Sequence, residues 1–312
     1  MRLLTGRRAW PPLYQEIRDV KPFAVCLALG LVLPVIAGCG KKEDTTPPVA
    51  TPAFSASRAR AALGSPLDLT YRFNVAANAP AFDRDYRVMV HFLDSDGELM
   101  WTDDHFPEVP TREWKPGQRI EYTRTMFVPV YPYMGQSTIR LGLYDPETNE
   151  RLPLAGESDG QRGYTVGTLE LLPASENVFI QFKEGWHNAE VSPDNAAVEW
   201  QWTKRVASLS LRNPGRDATL FLHFDGRPDL VPGQQLTVKI GDQVIDTYTL
   251  ANTEEVIRRV PITAAQFGTA ENVDIVLELN EAFVPAQTPA ANSSDTRELG
   301  IRVFHVFVEP QA

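Results

Sequence analysis

Leu67-Asp68-Leu69-Thr70-Tyr71-Arg72-Phe73-Asn74-Val75 alternates strictly between apolar and polar side chains. Successive side chains of an extended backbone point to opposite faces, so a period of two gathers Leu67, Leu69, Tyr71, Phe73 and Val75 on one side. Asp68, Thr70, Arg72 and Asn74 fall on the other, as in a strand with one face buried and one in water.

Outward from this stretch the same texture continues. Residues 86–93 read as a more buried strand, residues 94–97 as a turn, and residues 98–102 as the returning strand. Lys115-Pro116-Gly117-Gln118 introduces a strand over 119–128, Ile139, Leu141 and Leu143 mark the next, and 164–171 closes the set. Six or seven short antiparallel strands in about 120 residues predict an immunoglobulin-like sandwich. Pro173 to Asn177 reads as a boundary. Beyond it, strands are predicted over 178–183, 197–203, 206–212 and 218–224. Leu236, Val238 and Ile240 run into Gly241-Asp242, a two-residue hairpin signal, and 244–250 returns. Val273, Ile275, Leu277 and Leu279 alternate, and 299–308 is apolar on both faces, as a central strand should be. Eight or more strands in about 135 residues fit a jelly roll. A short helix is expected near 264–267, and no long amphipathic helix is visible, which weighs against nucleotide-binding α/β folds. The predicted fold class is therefore all-β: two antiparallel β-sandwich domains, immunoglobulin-like over 55–173 and jelly-roll over 176–310.

The 312 residues carry 30 Lys and Arg against 40 Asp and Glu, a net charge of −10. An acidic chain without clustered Lys and Arg is poorly suited to nucleic acid as its main partner. Two cysteines cannot staple a disulfide scaffold or complete a four-thiolate zinc site.

The N-terminus carries a different kind of signal. Arg2, Arg7, Arg8, Arg18 and Lys21 precede an uncharged apolar run over 23–38. Sixteen residues fall short of the roughly 20 needed to cross a bilayer as a helix but suit the apolar region of a signal peptide. The run ends in Ile36-Ala37-Gly38-Cys39, which resembles the lipobox of bacterial lipoproteins. That resemblance implies removal of residues 1–38, acylation of Cys39, and a membrane anchor made by two or more acyl chains. Gly40 is not the Asp that retains some lipoproteins at the inner membrane, so the outer membrane is the favoured location in the cell envelope. Cleavage would remove five basic and two acidic side chains and leave 25 against 38, a net of −13. Cys26 would leave with the leader, so no intramolecular disulfide could form. Residues 39–54, charged and then rich in Thr and Pro, read as a tether.

Several motifs lose their catalytic meaning in context. Gly156-Glu157-Ser158-Asp159-Gly160 matches a nucleophile elbow, yet a strand rather than a helix follows it. Asp94-Ser95-Asp96-Gly97-Glu98 begins like a calcium loop, but the twelfth position is His105 where a Glu is required. His91, His105, His187, His223 and His305 show no metal-ligand spacing, and no phosphate-binding loop appears, so no cofactor or metal is expected.

The aromatic residues form the more telling constellation. Gly185-Trp186-His187 and Glu199-Trp200-Gln201-Trp202-Thr203 flank a polar loop holding Glu190 and Asp194. Trp200 and Trp202 share one face of a strand. Facing out, they offer a platform for the C–H face of a sugar ring; facing in, they fill a core, which is expected of at least one of them. Arg297, in Ser294-Asp295-Thr296-Arg297-Glu298-Leu299-Gly300, has the fork geometry to hold a carboxylate, from a ligand or from the chain itself.

On Gly185-Trp186 with Glu190, on Trp200-Gln201-Trp202-Thr203, and on Asp295-x-Arg297-x-Leu299-Gly300, residues 176–310 resemble a β-sandwich module found beside bacterial cell-surface polysaccharide and glycosyltransferase proteins. More broadly they are similar to galactose-binding-like jelly rolls. Trp114-Lys115-Pro116-Gly117, Gly142-Leu143-Tyr144-Asp145-Pro146 and Arg151-Leu152-Pro153 give residues 55–172 a similar look. Members of such families often bind glycans, and with the lipobox the sequence predicts a non-enzymatic, membrane-anchored envelope lipoprotein acting as a binding module for carbohydrate or envelope glycan, with Trp186, Glu190, Trp200, Trp202 and Arg297 as its candidate binding residues. The rival reading is a structural or assembly protein docking to an envelope partner. A hydrolase using Glu190 and Asp194 is a third.

Overall fold

A computed structural model describes residues 44–311 apart from Asp194, Ala196 and Ala197. The leader at 1–38, Cys39 and the first residues of the tether lie outside the described residues, as does Asp194. The first half contains β1 (Ala50–Ala56), β2 (Arg60–Ala62), β3 (Pro66–Val75) and β4 (Arg87–Leu93). It continues with β5 (Leu99–Thr102), β6 (Arg119–Phe127), β7 (Gly135–Tyr144) and β8 (Tyr164–Leu172). They form a three-stranded sheet in the order β1-β3-β6 and a five-stranded sheet in the order β2-β8-β7-β4-β5. All of these pairings are antiparallel except β2 with β8.

The alternation of β3 is used as the sequence predicts. Leu69, Tyr71 and Phe73 are fully buried and face Val88, Val90 and Phe92 of β4 and Ile139, Leu141 and Leu143 of β7 within one core. Trp114 closes one end against Phe73 and Phe82, with ring centroids 5.2 and 5.7 Å away.

Residues 50–54, which composition assigns to the tether, instead begin β1. Ala50 pairs with Val75 and Pro52 with Phe73, Val49 is buried, and its N–H donates to the Pro153 carbonyl at 2.9 Å. Proline lacks an N–H, but an edge strand can turn that side to solvent, so Thr/Pro composition does not bar pairing there. The chain is held as far back as Asp44, which accepts from Arg162 Nε at 2.7 Å; that guanidinium keeps the Asp44 carboxyl well below the usual range.

The second half contains β9 (Ile180–Phe182), β10 (Glu190–Val191), β11 (Glu199–Trp202), β12 (Val206–Arg212) and β13 (Ala218–Asp225). Then follow β14 (Gln235–Ile240), β15 (Gln243–Thr249), β16 (Val256–Ile262), β17 (Asn272–Leu279) and β18 (Arg302–Pro310). Two five-stranded sheets result, β10-β11-β18-β13-β16 and β15-β14-β17-β12-β9. Their inner faces meet through Leu220, Leu222 and Phe224 on one side and Leu209, Val238, Ile275 and Leu277 on the other. The short helix is α1 (Ala264–Phe267), opened by a capping box between Thr263 and Gln266. Over the described residues the protein is an all-β sandwich fold.

No strand ladder joins the two halves among the described residues. They meet instead through Phe127 of β6, Phe221 of β13 and Phe307 of β18, flanked by ion pairs from Arg58 to Glu309 and from Arg259 to Asp68. This explains why β18 is apolar on both faces: one packs into its own sandwich, and the outer one meets the first sandwich at Phe307.

Candidate functional site

The outer face of the sheet β10-β11-β18-β13-β16 is covered at one end by that contact and open at the other. Register sets what lies at the open end. Glu190 of β10 pairs with Trp200 of β11, Trp202 pairs with Arg302 of β18, and Arg302 pairs with Asp225 of β13. The period of two turns Trp200 and Trp202 outward, and neither is fully buried. Between them lies the Arg302 guanidinium, 5.0 Å from the Trp200 ring centroid and 5.8 Å from that of Trp202. Asp225, 2% exposed, accepts from Arg302 Nε at 2.9 Å and also from Nη2. Burial pushes the Asp225 carboxyl up, against the pull of the Arg302 hydrogen bonds, while those bonds hold the guanidinium firmly charged.

A second arginine ties the neighbouring loop to the sheet edge. Arg297 donates from Nη1 to Glu190 at 2.6 Å, and from Nε and Nη2 to Asp295 at 3.0 and 2.7 Å. The hydrogen bonds from Arg297 hold the Asp295 carboxyl below its ordinary range. Arg227 forks onto Asp229 at 2.9 and 2.7 Å. Glu190, Arg227, Asp295 and Arg297 line a cleft of about 290 Å³ together with Trp200, Trp202, Arg302 and Phe283, whose ring meets Trp202 edge-on at 6.2 Å. The arrangement can hydrogen-bond hydroxyls from several sides while offering ring faces and edges to C–H groups.

The structure thus brings Glu190, Trp200, Trp202 and Arg297 together at one cleft. Trp186 stands apart. Its Nε1 donates to the Ser208 carbonyl at 2.7 Å, its ring meets Phe182 edge-on at 4.5 Å, and it packs against the core of the second sandwich. Its neighbour Gly185 has φ +82°, and a Cβ there would collide with the Val206 carbonyl. Thr203 and Gly300 are also structural: Thr203 Oγ1 accepts from Ile301 N at 3.1 Å, and a Cβ on Gly300 would strike Thr203 and Lys204. The motif set therefore divides into a part that knits the sheet and a part that lines the cleft. Sequence reasoning missed Arg302, Asp225, Arg227 and Phe283. Arg302, a lone cation inside an otherwise apolar run, was the available signal.

Further along the same face, His223 and His305 stack on Phe127, with centroids 5.8 and 4.4 Å from it. Their Nδ1 atoms are 3.1 Å apart, and His223 Nε2 lies 2.9 Å from Glu255. Burial and the facing His223 push His305 down to about 4. The elbow-like serine, Ser158, sits in a loop, where its hydroxyl accepts from Gly160 N at 3.1 Å.

No family model matches the chain, and no curated protein matches it. Among solved structures, SGBP-B from a xyloglucan utilization locus in Bacteroides uniformis is 10% identical, with TM-score 0.35, over 85% of this chain and 74% of that one. The M60 catalytic domain with CBM51 domains from Clostridium perfringens ZmpB is 8% identical, with TM-score 0.22, over 79% of this chain and 34% of that one. An alkylpurine DNA glycosylase from Pseudomonas fluorescens is 13% identical, with TM-score 0.23, over 40% of this chain and only 30% of its own length. At this level of identity and superposition, none of these likenesses informs what the chain does.

Proposed function

We propose that this protein is a non-catalytic carbohydrate-binding lipoprotein of the cell envelope. The observation that carries the reading is the cleft itself: Trp200, Trp202 and Phe283 beside the Arg297–Glu190–Asp295 network, in a volume of about 290 Å³. Such a site pairs apolar ring contacts with planar hydrogen-bonding groups, which is the chemistry a pyranose presents. Non-catalytic action fits the engagement of these acids, since Arg297 holds both Glu190 and Asp295 and Arg302 holds Asp225. Glycoside hydrolysis needs a protonated carboxylic acid at the scissile bond. Here no acid of the cleft is free of an arginine, and Asp225, 2% exposed, lies beneath Arg302.

The anchor is proposed at Cys39, the cysteine that ends Ile36-Ala37-Gly38-Cys39. Mass spectrometry of the purified protein is expected to find acylated Cys39 at its N-terminus; an unmodified Cys39 would remove the anchor. A glycan array probed with the full chain is expected to give binding that Trp202→Ala weakens by about tenfold or more. If no glycan binds and crosslinking recovers an envelope protein, the docking role replaces this reading.

A further inference from the structure

We infer that the cleft takes an uncharged glycan and turns acidic sugars away, an inference that rests on reading the cleft as a carbohydrate site. Three guanidiniums line it, from Arg227, Arg297 and Arg302. Cationic clefts ordinarily recruit uronates, sulfates or phosphates through such groups. Here each is already taken by this chain. Asp229 holds Arg227 through both Nε and Nη2, Asp295 and Glu190 hold Arg297 from three of its nitrogens' sides, and Asp225 holds Arg302. Four carboxylates thus answer three guanidiniums, an excess of one negative charge.

An acidic sugar would have to displace one of these carboxylates and leave it beside a newcomer of like charge, or lie among them unpaired. Both cost free energy, most of all for Asp225, which is 2% exposed. The chain's net charge of −10 adds a longer-range repulsion.

A neutral ring meets neither obstacle. A sugar hydroxyl both donates and accepts, so it can bridge a remaining guanidinium N–H to a remaining carboxylate lone pair without displacing anything. Nη1 of Arg227 and Nη1 of Arg302 donate to none of the carboxylates that hold these arginines, which leaves them to meet hydroxyl oxygens. Trp200, Trp202 and Phe283 then cover the C–H surface that an uncharged pyranose offers.

The test is a glycan array probed with the full chain. It carries neutral oligosaccharides of glucose, galactose, mannose and N-acetylglucosamine, with oligogalacturonate and mannose 6-phosphate beside them. Binding to one or more neutral glycans is expected, changing less than about twofold over a tenfold rise in salt, with the acidic probes at least about tenfold weaker. Asp229→Asn frees the Arg227 fork at an exposed position and is expected to admit oligogalacturonate with a gain of about tenfold. Acidic probes that bind the parent chain as tightly as neutral ones, with affinity falling as salt rises, overturn the inference and leave the glycan site standing. Exclusion of oligogalacturonate by Asp229→Asn as strict as in the parent overturns the charge-saturation argument. No binding to any probe overturns the glycan reading itself, and this inference with it.

Discussion

The two sandwiches each hold a cluster in which aromatic rings meet charged groups, and the clusters differ in what they leave unspent. In the first sandwich, the Tyr71 hydroxyl donates to Asp103 Oδ2 at 2.9 Å. His105 donates from Nδ1 to the Asp103 carbonyl at 2.6 Å, so its Nε2 accepts from the Tyr122 hydroxyl at 2.8 Å. Tyr71 is fully buried, and His105 and Tyr122 are each 6% exposed. Burial pushes both tyrosines far above their ordinary range and pushes His105 down. The rings of Tyr71, His105 and Tyr122 fill the space between them, with centroids 4.9–5.6 Å apart. In the second sandwich, Trp200, Arg302 and Trp202 stack as tightly, but one side opens onto about 290 Å³. Residue type does not separate the closed cluster from the open one. Unspent hydrogen-bonding capacity beside open volume does.

The largest expected effect lies in the closed cluster. Tyr71→Ala should cost about 4 kcal/mol of stability in urea titration, through the cavity and the lost hydrogen bond to Asp103, while the cleft of the second sandwich stays as it is. A loss below about 1 kcal/mol would erase the contrast. In the open cluster the order reverses. Trp202→Ala should lower affinity by about tenfold to a hundredfold, read by titration calorimetry, with a stability loss smaller than that of Tyr71→Ala.

The third expectation concerns pH. The His105 imidazole is depressed in the folded protein from a reference of 6.5, so on acidification the unfolded chain takes up its proton first. Its contribution is complete above pH 6.5 and declines as pH falls toward the folded value, and His305, at about 4 when folded, acts in the same sense. Melting temperature should therefore fall between pH 7 and about pH 4, with a shallower slope in His105→Gln. The smallest effect is Glu190→Gln. Its carboxylate is one of two on Arg297 and is partly solvated, so stability should change by less than about 1 kcal/mol while affinity falls a few-fold.

Much of this architecture was legible because alternation is local. The pattern in β3 and β17 and the Gly241-Asp242 turn each declare themselves within a few residues. β1 did not, because Pro52 and its threonine neighbours read as a linker until their register with β3 is known. The candidate site was half legible for the same reason. Trp200 and Trp202 share a face by their spacing alone, whereas Arg302 and Asp225 reach them only through pairing across β11, β18 and β13, with a bulge beside His223. Trp186 looked equivalent to the other two. Its bridge to Thr203 and its bond to Ser208 place it against the core instead.

The most direct test follows the indole N–H resonances of the full chain by NMR while the tightest-binding neutral oligosaccharide of the array is added. The signals of Trp200 and Trp202 are expected to shift in proportion to occupancy, with those of Trp114 and Trp186 unmoved. A glycan that binds while Trp200 and Trp202 stay still would contradict this expectation.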